Sequence, residues 1–326
     1  MDDTKWGVED KRGYWTPNER IKYPAVFVWP PQLVGIAKWL PGYLFPWTVA
    51  YAALTALVWF FLTPSIEQMR TLSADWIGLI LLRNLGLHIA IVGGQHYWLY
   101  LRRAQDTSFK YNRRWPDETK SSFTFNDQTK DNMFWSLVSG VPIWTAWEVL
   151  ALWLYANGYV AQLAIAENPI WFLALWFLVP LLHEFHFYCV HRLLHWPPLY
   201  KAAHKLHHRN TNPGPWSGLS MHPIEHLLYF SGFLIYFVLP SHPIHMLNVG
   251  LLAGLSPAQG HTGFDRVVTG DGKSVHLPYF AHYLHHRYFE VNYADGSIPL
   301  DKWFGTFHDG SPEADEALKK RRIGKQ

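Results

Sequence analysis

Residues 169–195 read PIWFLALWFLVPLLHEFHFYCVHRLLH, and they join an apolar segment directly to a group of histidines. The apolar part has the composition of a helix inside a bilayer, where one crossing takes about 20 residues. The polar part carries His191 and His195, whose spacing places both on one face of a helix. The stretch therefore predicts a membrane helix that emerges into water with histidines on its end.

The rest of the sequence has the composition of a membrane protein. Of its 326 residues, 49% are hydrophobic and 17% are aromatic, which is too apolar for a typical soluble enzyme. Three further windows of suitable length occupy residues 45–62, 76–101 and 134–157. We therefore expect an all-α integral membrane protein with about four transmembrane helices. The second and third windows contain Arg83 and Glu148, which we expect to pair between helices.

A shorter apolar stretch at 227–255 is interrupted by the sequence PSHP at 240–243. Because it is too short for two full crossings, it predicts a re-entrant helical hairpin that ends on the side where it began. Lysine and arginine indicate which side that is. Residues 1–44 contain six of them and residues 102–132 contain seven, against none in 158–168. The positive-inside rule then places the N-terminus and the histidine clusters in the cytoplasm.

These features divide the chain into four expected parts. They are a cytoplasmic N-terminal segment at 1–44, a transmembrane helical region at 45–180, a catalytic region at 181–310 and a charged tail at 311–326. A cytoplasmic helical cap in the catalytic region would hold the histidines. The expected location is a bacterial inner membrane or the endoplasmic reticulum. The net charge of +3 is modest and gives no basis for nucleic-acid binding.

Histidines are concentrated in the second half of the chain, where 17 of the 19 lie between residues 183 and 308. Three clusters stand out: HRLLH at 191–195, HKLHH at 204–208 and HYLHH at 282–286. Residues three and four apart share a helix face, so we expect each cluster to aim its imidazoles at one point. One ion takes about four to six ligands and imidazole suits iron, zinc and copper, so this number of histidines favours two metal ions.

The predicted metal ligands are the histidines of the three clusters, His261 of GHTGFD and His222 of HPIEH. His222 could equally be an outer hydrogen-bonding group or a helix cap. Glu184 and Glu225 are candidates to orient the imidazole N–H groups. The complete predicted ligand set is His191, His195, His204, His207, His208, His222, His261, His282, His285 and His286.

The motifs follow one another in the order HRLLH, HKLHH, HPIEH, HTGFD, HYLHH and NYADGSIPLDKWFGTF over about residues 180–307. This order resembles the fatty acid hydroxylase and sterol desaturase superfamily, in particular its sterol branch. The resemblance implies two iron ions that activate O2 as a co-substrate, so that the dimetal centre itself is the catalytic group. It also implies that Asn292 and Tyr293 belong to a segment that closes over the metals. Some members carry a further histidine at the position of Pro257.

The resemblance also implies the reaction and its partners. A lipid, either sterol-like or fatty acyl, would be hydroxylated or desaturated within the bilayer. The electrons would come from a cytochrome b5-like or ferredoxin-like donor.

Two other classes of protein use clustered histidines in a membrane. A zinc-dependent membrane hydrolase would need a carboxylate beside a metal-bound water, a role open to Glu184 or Glu225. A metal transporter would place its ligands near the bilayer midplane, and a haem electron carrier would use only two histidines. The clusters lie in polar, charge-bearing segments, unlike the ligands of a transporter, and a haem would leave most of the histidines unexplained. The zinc hydrolase therefore stays as the alternative to the oxygenase.

Overall fold

The computed structural model describes residues 2–270 and 272–323, and the described residues are mainly helical. Four helices are long and apolar enough to cross a membrane: α1 (Leu33–Leu62), α2 (Ala74–Leu101), α3 (Gln128–Ala156) and α4 (Pro169–Leu194). The helical membrane fold predicted from hydropathy is therefore confirmed. Met1 and residues 324–326, which belong to the predicted N-terminal segment and tail, lie outside the described residues.

Local sequence sets where these helices start and bend. The Asn168 side chain caps α4 by accepting a hydrogen bond from the Trp171 N–H at 3.2 Å, and Pro169 follows at a position where its missing N–H is not needed. α1 leaves helical geometry at Phe45, because a residue that precedes proline is driven towards extended backbone. α4 itself runs without a break through Pro180 into the first histidine cluster.

The predicted hairpin is formed by α5 (Pro223–Val238) and α6 (Pro243–Leu255). It enters and leaves at one end of the bundle, as expected. Its tip reaches the opposite end, where the Ser241 hydroxyl lies 2.6 Å from the Tyr155 hydroxyl and the Trp171 indole donates to the Pro240 carbonyl at 3.0 Å. α6 packs against α1, α3 and α4, so it occupies the centre of the bundle.

A buried polar network joins α2 to α3. The Arg83 guanidinium bonds directly to the Glu148 carboxylate, and both side chains are almost completely buried. The Asn84 amide donates to Glu148 Oε2 at 3.0 Å and to the Thr145 hydroxyl at 3.2 Å, while its oxygen accepts from Arg83 at 2.9 Å. Each charge in this network therefore has a hydrogen-bonding partner, and the expected pairing of Arg83 with Glu148 is present.

The polar segments gather at one end of the bundle, which we call the histidine end. An N-terminal hairpin of β1 (Gly7–Glu9) and β2 (Trp15–Pro17) packs there, with the Trp15 ring 5.8 Å from that of Phe109 and 6.3 Å from that of Tyr111. A second antiparallel pair, β3 (Arg266–Gly270) and β4 (Lys273–His276), lies nearby. This end also contains α7 (Phe280–Tyr288), α8 (Pro312–Ile323) and two shorter helices, Pro257–Gly260 and Leu300–Trp303.

Short helical turns connect α4 to α5 and carry the second histidine cluster. Their bounds are Pro197–Leu199, Tyr200–His204, His207–Arg209 and Pro215–Leu219. Polar side chains tie this connection to the start of α3. The Gln128 amide donates to Asn210 Oδ1 at 3.0 Å and to the Asn212 carbonyl at 2.8 Å. The connection is thus held against the bundle rather than left as a free loop.

Candidate metal centre

Nine of the ten histidines predicted as ligands converge at the histidine end. They form two groups, and within each group the ring nitrogens that face each other all lie within 4.8 Å. The five-histidine group consists of His191, His195, His204, His208 and His285. The four-histidine group consists of His207, His261, His282 and His286.

The two groups do not follow the three sequence clusters. Histidines four residues apart stay together, as in the pair His204 and His208, whereas His207 between them belongs to the other group. The same division separates His285 from His286 on α7. The expectation that each cluster aims at one point was therefore wrong for the two HxxHH motifs. Positions three and four along a helix point about 100° apart, so one motif can supply both groups.

Hydrogen bonds to the backbone fix the orientation of several rings. His191 Nδ1–H donates to the Tyr293 carbonyl at 2.8 Å, and His285 Nδ1–H donates to the Val291 carbonyl at 2.7 Å. His261 Nδ1–H donates to the carbonyl of Pro257 at 2.7 Å. Since a neutral imidazole carries one proton, Nε2 of each of these rings must present a lone pair.

His207 Nδ1–H likewise donates to the Ser220 carbonyl at 3.3 Å, so the Nε2 lone pairs of His207 and His261 face each other at 3.3 Å. His261 Nε2 also lies 2.9 Å from His286 Nε2 and 3.0 Å from His282 Nε2. In the five-histidine group, His195 Nε2 lies 3.1 Å from His208 Nε2 and 3.2 Å from His285 Nε2. Facing lone pairs repel, and a shared cation relieves that repulsion, so the arrangement has the chemistry of a metal-binding site.

Burial keeps these imidazoles neutral. It lowers the pKa of His204, His207 and His282 to about 3 each. Desolvation disfavours the charged ring, and the neutral ring is the form that binds a metal ion. The nine side chains are thus available as ligands throughout the physiological pH range.

One carboxylate stands beside a histidine of each group. Glu225 on α5 accepts a hydrogen bond from His204 Nδ1 at 2.7 Å, in a contact where both side chains are only 2% exposed. Asp295 lies beside the four-histidine group, with its Oδ1 3.5 Å from His282 Nδ1. A carboxylate that accepts a hydrogen bond from Nδ1, as Glu225 does, orients a ligand ring and raises its basicity.

The other predicted outer residues shape the backbone around the site. Glu184 accepts three backbone N–H bonds of 2.8–3.0 Å, from Gly296, Ser297 and Ile298. The Asn292 side chain donates to the His308 carbonyl at 3.0 Å and accepts from the His308 N–H at 2.8 Å. Glu184 and Asn292 therefore hold the 292–298 segment over the histidines without touching them directly.

His222 lies outside both groups. Its Nδ1 accepts a hydrogen bond from the Ile224 N–H at 3.3 Å, which makes it the N-cap of α5. Its ring lies 6.4 Å from the Trp135 ring. Of the three roles considered for His222, the geometry places it in that of a helix cap.

A cavity of about 550 Å³ opens beside the two groups, between α4 and the α5–α6 hairpin. Three of the four histidines of the four-histidine group line it, compared with His191 and His204 of the other group. Apolar side chains form most of its remaining wall, including Phe187, Leu194 and Met221.

Comparison with known proteins agrees with this geometry. The fatty acid hydroxylase family matches residues 176–306, which include α4 from its middle and all nine converging histidines. The match covers less than half of the chain. The family and its sterol desaturase relatives are those that the order of the histidine motifs indicated.

Two of the relatives have names that refer to sterols. The Delta(7)-sterol 5(6)-desaturase of Eremothecium gossypii is 30% identical over 177 residues, which is 52% of this chain and 45% of the relative. Methylsterol monooxygenase 1 of Gallus gallus is 32% identical over 148 residues, 43% of this chain and 49% of the relative. The chain thus spans about half the length of the curated relatives it matches. No solved structure matches it.

Two further residues of the site, Asp295 and Tyr200, were not predicted from the sequence. Asp295 lies in the NYADG segment whose first two residues had been selected, and its acidic side chain was the available signal. The Tyr200 ring lies 5.5 Å from that of His195 and 5.8 Å from that of His208, where it covers the five-histidine group. Nothing in its sequence context distinguishes it from the many interfacial tyrosines of a membrane protein.

Proposed function

We propose that this protein is a membrane-bound, non-haem di-iron oxygenase that hydroxylates or desaturates a lipid. The observation that carries the proposal is the pair of histidine groups whose ring nitrogens face one another beside a largely apolar cavity. Hydroxylation would convert the substrate, O2, two electrons and two protons into an alcohol and water. Desaturation would use the same electrons and protons to give an alkene and two waters.

The donor set fits iron. Nitrogen ligands without any thiolate suit ferrous and ferric ions, and the two groups offer five and four imidazoles. Bound there, iron would supply the reduction of O2 and the removal of hydrogen from an unactivated C–H bond. The four-histidine group has the smaller ligand set and contributes more of the cavity wall, so its side of the centre is where the substrate would lie.

The chain's own residues would position both the metals and the substrate. Glu225 orients His204, the Tyr293 carbonyl orients His191, and the Asp295 carboxylate lies beside His282. Phe187, Leu194 and Met221 keep water from the reacting C–H bond and bind an apolar substrate, by the burial of hydrocarbon surface.

The substrate is proposed to be sterol-like or fatty acyl and to enter from the bilayer. The cavity lies beside the last turn of α4, where the helix leaves its apolar section. A lipid could therefore slide in between α4 and α5 without leaving the membrane. The names of the relatives favour the sterol-like class for the first substrate screen.

The histidine end is proposed to face the cytoplasm. The cation-rich N-terminal segment and the loop that follows α2 both pack at this end, in accordance with the positive-inside rule. The test is a Lys319→Cys substitution in a Cys189→Ser background, labelled in intact cells with a membrane-impermeant maleimide. Labelling only after permeabilisation agrees with a cytoplasmic histidine end, whereas labelling of intact cells contradicts it.

The function is tested by metal content and O2 consumption of the detergent-purified protein. We expect about two irons per chain in the wild type, and a marked loss in a His204→Ala, His285→Ala double variant. His226→Ala is the matched control. His226 is also buried, but its ring bonds to Ser139 and to the Leu219 carbonyl outside both groups. One zinc per chain that survives the double substitution would overturn the proposal in favour of the hydrolase.

A further inference from the structure

One edge of the metal centre reaches the protein surface. Eight of the nine converging histidines are buried, with at most 4% of each residue exposed, and His195 alone is partly exposed. Tyr200 and Tyr293 flank it, with ring centres 5.5 Å and 4.8 Å from that of His195. Among the described residues, the five-histidine group is therefore closest to water at His195, away from the substrate cavity.

The chain segment that carries His195 is basic. Between Glu184 and Glu225 the chain contains four arginine and lysine residues and no aspartate or glutamate. Three of these cations, Arg192, Lys201 and Lys205, are exposed, whereas Arg209 is paired with Asp131 at 3.0 Å. We call the three exposed cations together with His195 the basic edge.

The basic edge lies directly over the five-histidine group. The Arg192 guanidinium lies 4.6 Å from the centre of the Tyr293 ring, which itself contacts His195. Lys201 and Lys205 stand on the outer side of the same turns whose inner side carries His204 and His208. Since a helical turn with its side chains is about 10–12 Å across, these charges are close to the metal groups.

We propose that the basic edge is the docking surface for an acidic one-electron carrier protein. This inference rests on the proposed oxygenase function, which consumes two electrons for each O2. The carrier would be oxidised twice per turnover, and each electron would enter the five-histidine group at the His195 side. Carboxylates around the carrier's redox group would pair with Arg192, Lys201 and Lys205.

Charge complementarity is the argument for an acidic protein as the occupant. Clustered charges of one sign raise the association rate of an oppositely charged partner by about 10- to 1000-fold, and salt screens this effect over roughly 10 Å at 0.1 M. Anionic lipid headgroups are the competing occupant, because Leu193 and Trp196 are exposed beside the edge. Binding of lipid headgroups would not require these cations to lie around His195, the partly exposed histidine of the five-histidine group.

The position of the basic edge also separates the docking surface for the electron carrier from the entrance for the lipid substrate. The cavity opens between α4 and the hairpin, and three histidines of the four-histidine group line it, against two of the five-histidine group. The basic edge serves the five-histidine group from the opposite, aqueous direction. A protein could therefore dock and leave while a lipid stays bound.

The test uses the full-length, iron-loaded protein and two reductants. Reduced cytochrome b5 and a reduced [2Fe–2S] ferredoxin are mixed with the enzyme, and their oxidation is followed by absorbance at several salt concentrations. Dithionite, a small anion that needs no docking surface, reduces the same enzyme in parallel. The test variant is Lys201→Glu, Lys205→Glu, and the matched control is Lys5→Glu, Lys273→Glu, which reverses as many charges on the two β hairpins.

We expect oxidation of at least one carrier by the test variant to be at least about tenfold slower at low salt and to lose its salt dependence. Reduction by dithionite and the control variant should match the wild type. Direct binding of the oxidised carrier, measured without any metal requirement, should weaken in the test variant only.

Three outcomes would overturn the docking proposal. They are an unchanged rate for the test variant with both carriers at low salt, an equal loss of the dithionite reaction, and weakened binding to phosphatidylserine vesicles with unchanged carrier oxidation. Failure of the proposed function looks different, because the wild-type protein would then bind no iron or consume no O2 with any reductant.

Discussion

The Arg83–Glu148 network and the histidine groups are both polar and both buried, but their hydrogen bonding differs. In the network, each donor nitrogen faces an oxygen acceptor, and the two charges neutralise each other. In the histidine groups, rings such as His207 and His261 already donate through Nδ1 and turn their Nε2 lone pairs towards one another. The first arrangement is complete without a ligand, whereas the second requires one.

This difference separates a structural role from a binding role inside one membrane protein. An ionisable residue in a membrane helix is by default a candidate for function. Arg83 and Glu148 do not meet that expectation, because their hydrogen-bonding groups are paired with each other and with Asn84 and leave no free group for a ligand. Substitutions in the histidine groups should therefore lower the metal content, whereas substitutions in the Arg83–Glu148 network should lower the stability.

The largest effect is expected from His285→Ala and His286→Ala, which sit next to each other on α7 but in different groups. Each variant should keep about one iron per chain instead of two, and lipid oxidation should fall to background in both. Elemental analysis and O2 consumption measure this. The matched control is His308→Ala, whose ring bonds to Asp315 outside both groups. Two irons retained in either variant would contradict the assignment.

The next largest effect concerns stability. Glu148→Ala leaves the Arg83 guanidinium buried without its partner, so we expect a loss of about 3–5 kcal/mol in the free energy of unfolding. The thermal unfolding midpoint in detergent should fall, while the iron content of the folded fraction stays unchanged. Glu148→Gln preserves a hydrogen-bonding side chain and should lie between the two. A parallel loss of iron in the folded Glu148→Ala protein would show that the two regions are not independent.

A smaller effect is expected from Glu225→Ala, which removes the acceptor of His204 Nδ1–H. Loss of such a partner weakens metal binding by about 10- to 100-fold. Competition with a chelator measures it, and the weaker binding should be confined to one of the two ions. Glu225→Gln retains an acceptor oxygen and should recover part of the affinity. Equal weakening of both ions would argue against the local role of Glu225.

The smallest effect is expected from Asp295→Ala. Its carboxylate lies 3.5 Å from His282 Nδ1, against 2.7 Å for the Glu225 contact, so it should weaken metal binding by less than about tenfold. The affected ion should be the one that Glu225→Ala spares. The same chelator competition on the double variant Glu225→Ala, Asp295→Ala checks this. Losses that add would agree with two separate groups, whereas a shared loss would contradict them.

The sequence was informative where local chemistry decides the outcome. Four apolar windows gave four membrane helices, since their length and lack of charge leave few other options. The spacing within HRLLH placed His191 and His195 together, because residues four apart share a helix face. The proline-containing break at 240–243 marked the hairpin tip for an equally local reason.

Features that depend on packing could not be predicted. The hairpin tip reaches the far end of the bundle because of partners such as Tyr155, which are distant in sequence. The division of each HxxHH motif between two groups depends on how α7 is placed against the turns after α4. The cap role of His222 and the contact of Asp295 with His282 likewise require the relative positions of separate elements.

The two histidine doublets, His207–His208 and His285–His286, each place neighbouring residues in different groups. Neighbouring Cα atoms are about 3.8 Å apart across a rigid peptide bond, and this separation does not change when helices slide or tilt. The doublets therefore act as two fixed spacers between the groups. Bending of the bundle in a fluctuating membrane would move both groups together and leave the gap between them nearly constant.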